Sequence, residues 1–309
     1  MNRKVPELSL ATYLVGNDAD KVSFETALFD GLRDYGFVIL TDHNIGSTLL
    51  DDAYRLSEAV FGLPQDVKIS YRGGMRGYTP FGTEHAKGNN LPDLKEFWQI
   101  GRDFPSSNNV DPLFPPNIWP REISGFVTIF RTLFKALDDT GRIILRALAP
   151  SLGLDGGYFD PLVANGTSLL RLLHYPPIPD DADPNCVRAA AHEDINFITI
   201  LVAAKGAGLE LLDRDGTWLS VETDARNLII DGGDMLARLT NGIIPATTHR
   251  VINPAGPNVS RYSMPFFMHP SVDTSLACLP SCLGSGAKFP PISAGAFLEQ
   301  RLAEIGLKT

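Results

Sequence analysis

Cysteine is scarce. The 309-residue chain has three, Cys186, Cys278 and Cys282. So few, so placed, exclude a disulfide framework, and a reducing cytoplasm is the expected compartment. Cys278 and Cys282 have knuckle-like spacing, but no further Cys or close His completes a metal set around them. Positive charge is also short: 27 Lys and Arg stand against 36 Asp and Glu, a net charge of -9. That excludes the basic surface needed for non-specific nucleic-acid binding, while leaving room for a local basic pocket. No apolar run approaches the ~18 residues of a membrane span. Arg3, Lys4 and Glu7 precede no uninterrupted apolar stretch, so no secretory signal is read there. Internal repeats and low-complexity segments are missing too. The expected partner is a small-molecule substrate, with neither nucleic acid nor membrane, bound by a monomer or weak homo-oligomer.

What is present is an ordinary globular composition, 44% hydrophobic and 20% charged. The first half reads mainly as helix. Lys21 to Tyr35 places Phe24, Leu28, Gly31 and Leu32 on one face, and Gly36 suits the residue after the helix. Phe37 to Leu40 is a short β-type run. Ser47 to Phe61 is a second amphipathic helix, with Ser47 as the expected N-cap. Arg72 to Pro80 is Gly-rich, Asp93 to Ile100 reads as a strand, and Phe104 to Pro120 as loop. Ser124 to Ala149 carries the longest helical pattern.

From Ser168 the period changes. Short β-rich runs cover Leu169–Tyr175, Phe197–Val202, Leu209–Leu212, Trp218–Ser220, Leu228–Ile230, Met235–Thr240, Thr248–Ile252 and Arg261–Met268. Asp215-Gly216, Gly232-Gly233 and Asn241-Gly242 supply turns between them. Strands at this spacing predict a sandwich or jelly roll. A terminal helix is expected over Ala294 to Ile305. The expected division is 1–120 as an amino-terminal helical and loop region, 121–165 as a long helix and connection, 166–270 as the β core, and 271–309 as a tail with a helix. The fold class is therefore mixed α/β with an all-β core, a jelly roll flanked by helices.

His192-Glu193-Asp194 stands out within the β region. On an extended strand, residues two apart share a face. His192 and Asp194 can thus meet one metal, and His249 would complete a 2-His-1-carboxylate set of the kind that leaves positions open on non-haem Fe(II). Taken alone, any one of the six histidines is better read as a packed or surface side chain. Arg261 and Ser263 also share a face. A guanidinium fork beside a hydroxyl suits a carboxylate, although a structural salt bridge gives the same pattern.

The ordered set Leu173-His174-Tyr175-Pro176-Pro177, His192-Glu193-Asp194, Gly233-Asp234-Met235, Leu239-Thr240-Asn241-Gly242, His249-Arg250-Val251 and Arg261-Tyr262-Ser263 resembles the isopenicillin N synthase-like branch of the Fe(II)/2-oxoglutarate-dependent oxygenases. Asp34-Tyr35-Gly36-Phe37 and Arg76-Gly77-Tyr78 resemble its amino-terminal region, so the likeness covers nearly the whole chain. The resemblance implies a double-stranded β-helix and an oxidoreductase, a dioxygenase using Fe(II), 2-oxoglutarate and O2. His192, Asp194 and His249 would hold iron. Arg261 and Ser263, with Tyr175, would hold the far carboxylate of 2-oxoglutarate, and succinate and CO2 would leave. Leu173 stands where many plant members carry Asn, and Arg171 faces the same way as Leu173. Arg76, Tyr78, Lys95, Phe97 and Phe267 are the expected substrate contacts. The two cations among them favour a small acidic or polar molecule, most simply hydroxylated. Two alternatives stay open: an iron oxidase that does not use 2-oxoglutarate, and a non-catalytic jelly-roll module binding a metal such as zinc.

Overall fold

The structure, a computed structural model, describes residues 3–85, 91–104 and 115–304. Strand β1 (Glu7–Ser9) runs directly into α1 (Leu10–Val15). Helix α2 (Asp18–Tyr35) starts where Asn17 accepts from the amides of Ala19 and Asp20, while Asp20 accepts from the Asn17 amide. That reciprocal cap fixes a start earlier than the apolar periodicity shows. Gly36, at φ 73°, ends the helix in the left-handed region. Then come β2 (Phe37–Thr41), α3 (Ser47–Phe61), α4 (Gln65–Ser70), β3 (Gly77–Thr79) and β4 (Glu96–Gly101).

Helix α5 (Phe126–Leu148) turns Phe126, Phe130, Leu133, Leu137, Ile144 and Leu145 inward, all fully buried. Gly141 lets it approach the sheet, since a Cβ there would lie 2.7 Å from the Met268 methyl and 2.9 Å from Ile200. After α6 (Asp160–Ala164) come β5 (Leu169–Tyr175), β6 (Ala189–His192), β7 (Ile198–Lys205), β8 (Leu209–Leu212), β9 (Trp218–Ser220) and β10 (Leu228–Gly232). Helix α7 (Asp234–Leu239), β11 (His249–Val251), β12 (Arg261–Met268) and α8 (Ala294–Glu304) complete the order.

Two sheets result. The larger runs β1-β2-β10-β7-β12-β5-β4-β3, and the smaller β6-β11-β8-β9. Every pairing is antiparallel except β1 with β2. Period 2 divides the large sheet cleanly. One face carries Trp98, Ile100, Leu170, Leu172, Ile200, Val202, Met264 and Phe266, which pack with α2, α3 and α5 in the main core. The other face carries Phe97, Leu173, Tyr175, Ile229, Ile39 and Phe37, which meet Leu209, Leu211 and Val251 of the small sheet. The site lies in that second layer.

Several expectations are corrected. The expected strand Met235–Thr240 is helix as far as Leu239: Met235, Leu236 and Leu239 bury one helical face, and Gly233 enters it extended. Ser47 is the first helical residue rather than the cap; Gly46 occupies the cap position and no side chain caps the helix. Asp194 lies beyond the end of β6 at His192, so strand alternation alone does not bring it to His192. Of the expected loop at Phe104–Pro120, residues 105–114 lie outside the described residues, as does Ile305 of the terminal helix.

Candidate active site

His192 ends β6 and His249 begins β11, and the two are paired across the small sheet. Their rings lie 4.4 Å apart, centroid to centroid. His192 Nδ1 donates to the Ala190 carbonyl at 2.7 Å, and His249 Nδ1 donates to the Thr247 carbonyl at 3.1 Å. A carbonyl only accepts, so each Nδ1 carries a proton, and in the neutral ring Nε2 keeps its lone pair. Each Nε2 lies 4.0 Å from Asp194 Oδ1, too far for a hydrogen bond. Burial, and then His249, push the His192 imidazole down to about 4, so it is neutral at pH 7. The other carboxylate oxygen of Asp194 accepts from the Thr199 hydroxyl, which itself accepts from Asn196 Nδ2 at 3.0 Å. The two Nε2 atoms and Asp194 Oδ1 thus converge, the carboxylate oxygen without a hydrogen bond to either ring. His192, Asp194 and His249, with ligand atoms within 4.8 Å of one another, form the one such cluster of three among the described residues. The donor set fits a divalent metal with nitrogen and oxygen preference.

Arg261 and Ser263 of β12 face the same layer, as do Tyr175 and Leu173 in register beside them. Arg261 is 2% exposed. Its Nη1 is 3.4 Å from Ser263 Oγ, its Nε donates to the Gly206 carbonyl at 3.3 Å, and its guanidinium lies 5.0 Å over the Tyr175 ring. No carboxylate pairs with it among the described residues. Burial lowers its pKa. Nearby Arg188, also buried and also without an acid partner among the described residues, adds positive potential. A small cavity of about 70 Å³ lies between Arg261, Ser263, Leu173, His192, Asp194 and His249. A buried cation facing such a space is a receptor for an anion.

A second cavity, of about 630 Å³, shares His192, Asp194, Arg171 and Phe267 with the first. Arg76, Lys95, Phe97 and Phe267 all line it, so four of the five expected substrate contacts are brought together. Tyr78 is not. It pairs with Trp98 on the other face of the sheet, is fully buried, and its hydroxyl donates to Glu96 at 2.5 Å. The period of 2 that puts Thr79 on the cavity sends Tyr78 into the core. Lys95 is less free than expected, because Glu84 and Asp93 each pair with it at 2.8 Å.

Further residues reach the site, Arg171 among them as its parity with Leu173 led one to expect, the others unread. Arg171 lies over the Phe97 ring at 4.3 Å and the Phe267 ring at 5.5 Å, and reaches Glu84 and Gln99. His269 lines the large cavity with a buried Nδ1 that has no partner, and burial pushes its pKa down to about 4. Leu298, Arg301 and Leu302 of α8 form part of the wall, with Arg301 tied to Asp234 at 2.6 Å. Burial, and then Asp194, push the carboxyl of Asp231, in register with Thr199, well above the usual carboxylate range. Only alternation along β5 signalled Arg171. The rest depend on distant segments.

Comparison with known proteins agrees with this geometry. The sequence model described as the 2OG-Fe(II) oxygenase superfamily matches residues 166–270. The one described as non-haem dioxygenase in morphine synthesis N-terminal matches residues 5–122. The 2-oxoglutarate-Fe(II) type oxidoreductase hxnY of Emericella nidulans is 30% identical over 303 residues, covering 93% of this chain and 86% of the relative. The 2-oxoglutarate-dependent dioxygenase citB of Monascus ruber is 31% identical over 293 residues, covering 88% and 86%. Among solved structures, a Caulobacter crescentus protein assigned to the 2OG-Fe(II) oxygenase family superposes with a TM-score of 0.87 at 42% identity, covering 97% of this chain and 98% of that one. A Neurospora crassa enzyme in complex with alpha-KG and thymine gives 0.87 at 28% identity, covering 97% and 96%.

Proposed function

The chain belongs to the 2OG-Fe(II) oxygenase superfamily and is a 2-oxoglutarate-dependent dioxygenase; from that premise we propose that His192, Asp194 and His249 hold its Fe(II), that Arg261, Ser263 and Tyr175 hold the co-substrate, and that the reaction is hydroxylation of a small molecule in the large cavity. The observation that carries the reading is the convergence of His192, Asp194 and His249, each Nε2 4.0 Å from Asp194 Oδ1, beside a buried guanidinium that has no acid paired to it among the described residues.

When bound, Fe(II) and 2-oxoglutarate supply the oxidation, coupling decarboxylation of the co-substrate to succinate and CO2 with oxygen insertion into a substrate C–H bond. The chain supplies position. Backbone carbonyls fix the tautomers of both histidines. Phe37 packs against the His249 ring in an edge-to-face arrangement, 5.5 Å between centroids. Thr199 leaves one oxygen of Asp194 for the metal and holds the other. Arg261 offers a planar fork to a carboxylate, and its low-dielectric surroundings strengthen that pairing. Leu173 gives this pocket an apolar wall. Apolar side chains of the large cavity, among them Leu169, Phe97 and Leu298, exclude bulk water from the reacting end.

The test is anaerobic addition of Fe(II) and 2-oxoglutarate, read as the weak visible charge-transfer band, followed by O2 and quantification of succinate. Band and succinate are expected in the wild type and lost in His192→Ala and Arg261→Ala. Iron binding with neither signal would overturn the co-substrate assignment. Failure to bind iron would overturn the metal assignment.

A further inference from the structure

Resting on the dioxygenase reading above, we propose that Arg76 anchors a carboxylate carried by the substrate, so that the enzyme oxidises an organic acid of medium length.

Five lysines and arginines line the large cavity; Arg72 is exposed to solvent, and three of the other four are neutralised from within the chain. Lys95 has Glu84 and Asp93 at 2.8 Å. Arg171 has Glu84 at 3.3 Å and Gln99 at 3.1 Å. Arg301 has Asp234 at 2.6 Å. Arg76 differs. It is 2% exposed, its Nη1 donates to the neighbouring Met75 carbonyl at 2.7 Å, and its buried Nε has no partner. No carboxylate among the described residues forms an ion pair with it. Burial draws its pKa down only to about 10, so it remains a cation at neutral pH. The charge of Asp103 opposes that shift without forming an ion pair; a guanidinium kept dry with no acid in contact is costly, and a ligand that brings one lowers the cost.

Its position is built, not accidental. A Cβ on Gly101 would lie 2.0 Å from Arg76 Nη2, so the absence of a side chain at 101 makes room for the fork. Arg261 shows the same combination at the small cavity: burial, no acid, and an adjoining space. Arg188 also has no acid partner among the described residues, but it donates to the Val259 carbonyl at 2.6 Å and lines neither cavity.

The sheet sets the length of the ligand. Gly101, Leu169, Phe267 and Thr199 stand side by side on β4, β5, β12 and β7. Three strand spacings separate the first from the last, roughly 14 Å. Arg76 covers one end, and the Thr199 hydroxyl touches Asp194 at the other. Leu169 and Phe267 line the floor between them. An acid of two or three carbons would not bridge that span; one with an extended aliphatic or aromatic body would.

The test compares acids with their own primary amides. Octanoate, 4-phenylbutanoate and 6-phenylhexanoate, each with its amide, are titrated calorimetrically into anaerobic Fe(II)-loaded protein with saturating 2-oxoglutarate, which occupies Arg261. At least one acid is expected to bind roughly tenfold or more tightly than its amide. In Arg76→Gln that ratio falls to about one while the amide affinity stays the same. Should this variant not fold, Arg76→Lys, which lacks the planar fork, is expected to shrink the ratio severalfold. Equal binding of acid and amide throughout the wild-type panel, no binding of any acid, or a ratio undiminished in the variant would each overturn the proposal. Acid preference with no succinate formed by the wild type would instead overturn the reaction assigned above and leave the Arg76 anchor standing.

Discussion

Thr199→Val isolates one hydrogen bond to the metal-binding carboxylate. Thr199 is 3% exposed, and its hydroxyl donates to the Asp194 oxygen that does not face the histidines. Valine keeps the branched shape and removes only the donor. A hydrogen bond to a charged acceptor contributes about 1.5–3 kcal/mol, which converts to a loss of roughly ten- to hundredfold in affinity. Partners of metal ligands give losses of similar size elsewhere. Two effects modify this. Asn196 Nδ2 loses its 3.0 Å acceptor but keeps the Ile198 carbonyl at 3.2 Å, which limits the damage to folding. Asp231, in register with Thr199 and with its carboxyl pushed well above the usual range by burial and by Asp194, stands beside the vacated position, and a proton donated from it would pull the loss toward the lower figure. The assay is competition for Mn(II) or Co(II) against a chromophoric chelator, with the melting temperature measured in parallel. A metal affinity within twofold of wild type, in a folded variant, would refute the claim that Thr199 orients Asp194.

Other perturbations separate the remaining parts of the site. Arg261→Gln is expected to weaken 2-oxoglutarate binding by about a hundredfold at saturating Fe(II), read from the visible band; an unchanged affinity would move the co-substrate elsewhere. For acid stability, burial would raise the Glu84 carboxyl, but Arg171 and Lys95 outweigh it and hold it at about 2 against an ordinary 4.5. A depressed carboxyl contributes fully above its unfolded value and loses that contribution as pH falls toward the folded one, so stability should drop between about pH 4.5 and 2, by on the order of 3 kcal/mol. Lys95→Met should shift the acid-unfolding midpoint, followed by circular dichroism, to higher pH; no shift would show that the pairing adds nothing. Leu137→Ala, fully buried on α5, should cost about 2–5 kcal/mol in urea unfolding, and a cost under about 1 kcal/mol would mean that α5 packs less tightly than described.

The long helices were legible because their apolar positions recur over many turns, as in α5. The short ones were not. The run from Met235 to Leu239 is too brief for its period to separate helix from strand, and only the distant packing of Leu236 and Leu239 in the main core decides it. Strand β6 was missed because it opens Ala189-Ala190-Ala191, residues with little β preference. The pairing partners of Lys95 were unreadable for another reason: Glu84 lies across a connection from it, and a charge has no sequence period. Arg261 and Ser263 were readable because β12 is long and regular, so parity alone aimed both inward. Tyr78 failed on the same rule. In a three-residue strand nothing local says which parity faces the core, and Trp98 across the ladder makes that choice.

His192 owes its aim to an irregularity that a pattern of alternation cannot express. Across the small sheet His249 pairs with His192 and Val251 pairs with Ala189, so β6 spends one residue more than β11 over the same span. In a regular strand Ala189 and His192, three apart, would face opposite sides. The extra residue lets both face inward: Ala189 packs with Leu209 and Val251, and His192 meets His249 and Asp194. Such a bulge re-aims a side chain beside a site. A deletion tests this more sharply than a substitution, since removing Ala191 restores equal spacing without touching a charged group. Regular pairing then either turns His192 outward or draws Ala189 out of the apolar layer. The layer includes the buried Leu209, Leu211 and Val251, so the apolar contact is expected to win and the histidine to leave the site. The deletion protein should keep a cooperative melt and lose metal binding, by at least a hundredfold in the chelator assay. Wild-type metal affinity in that protein would show that His192 reaches the site without the bulge.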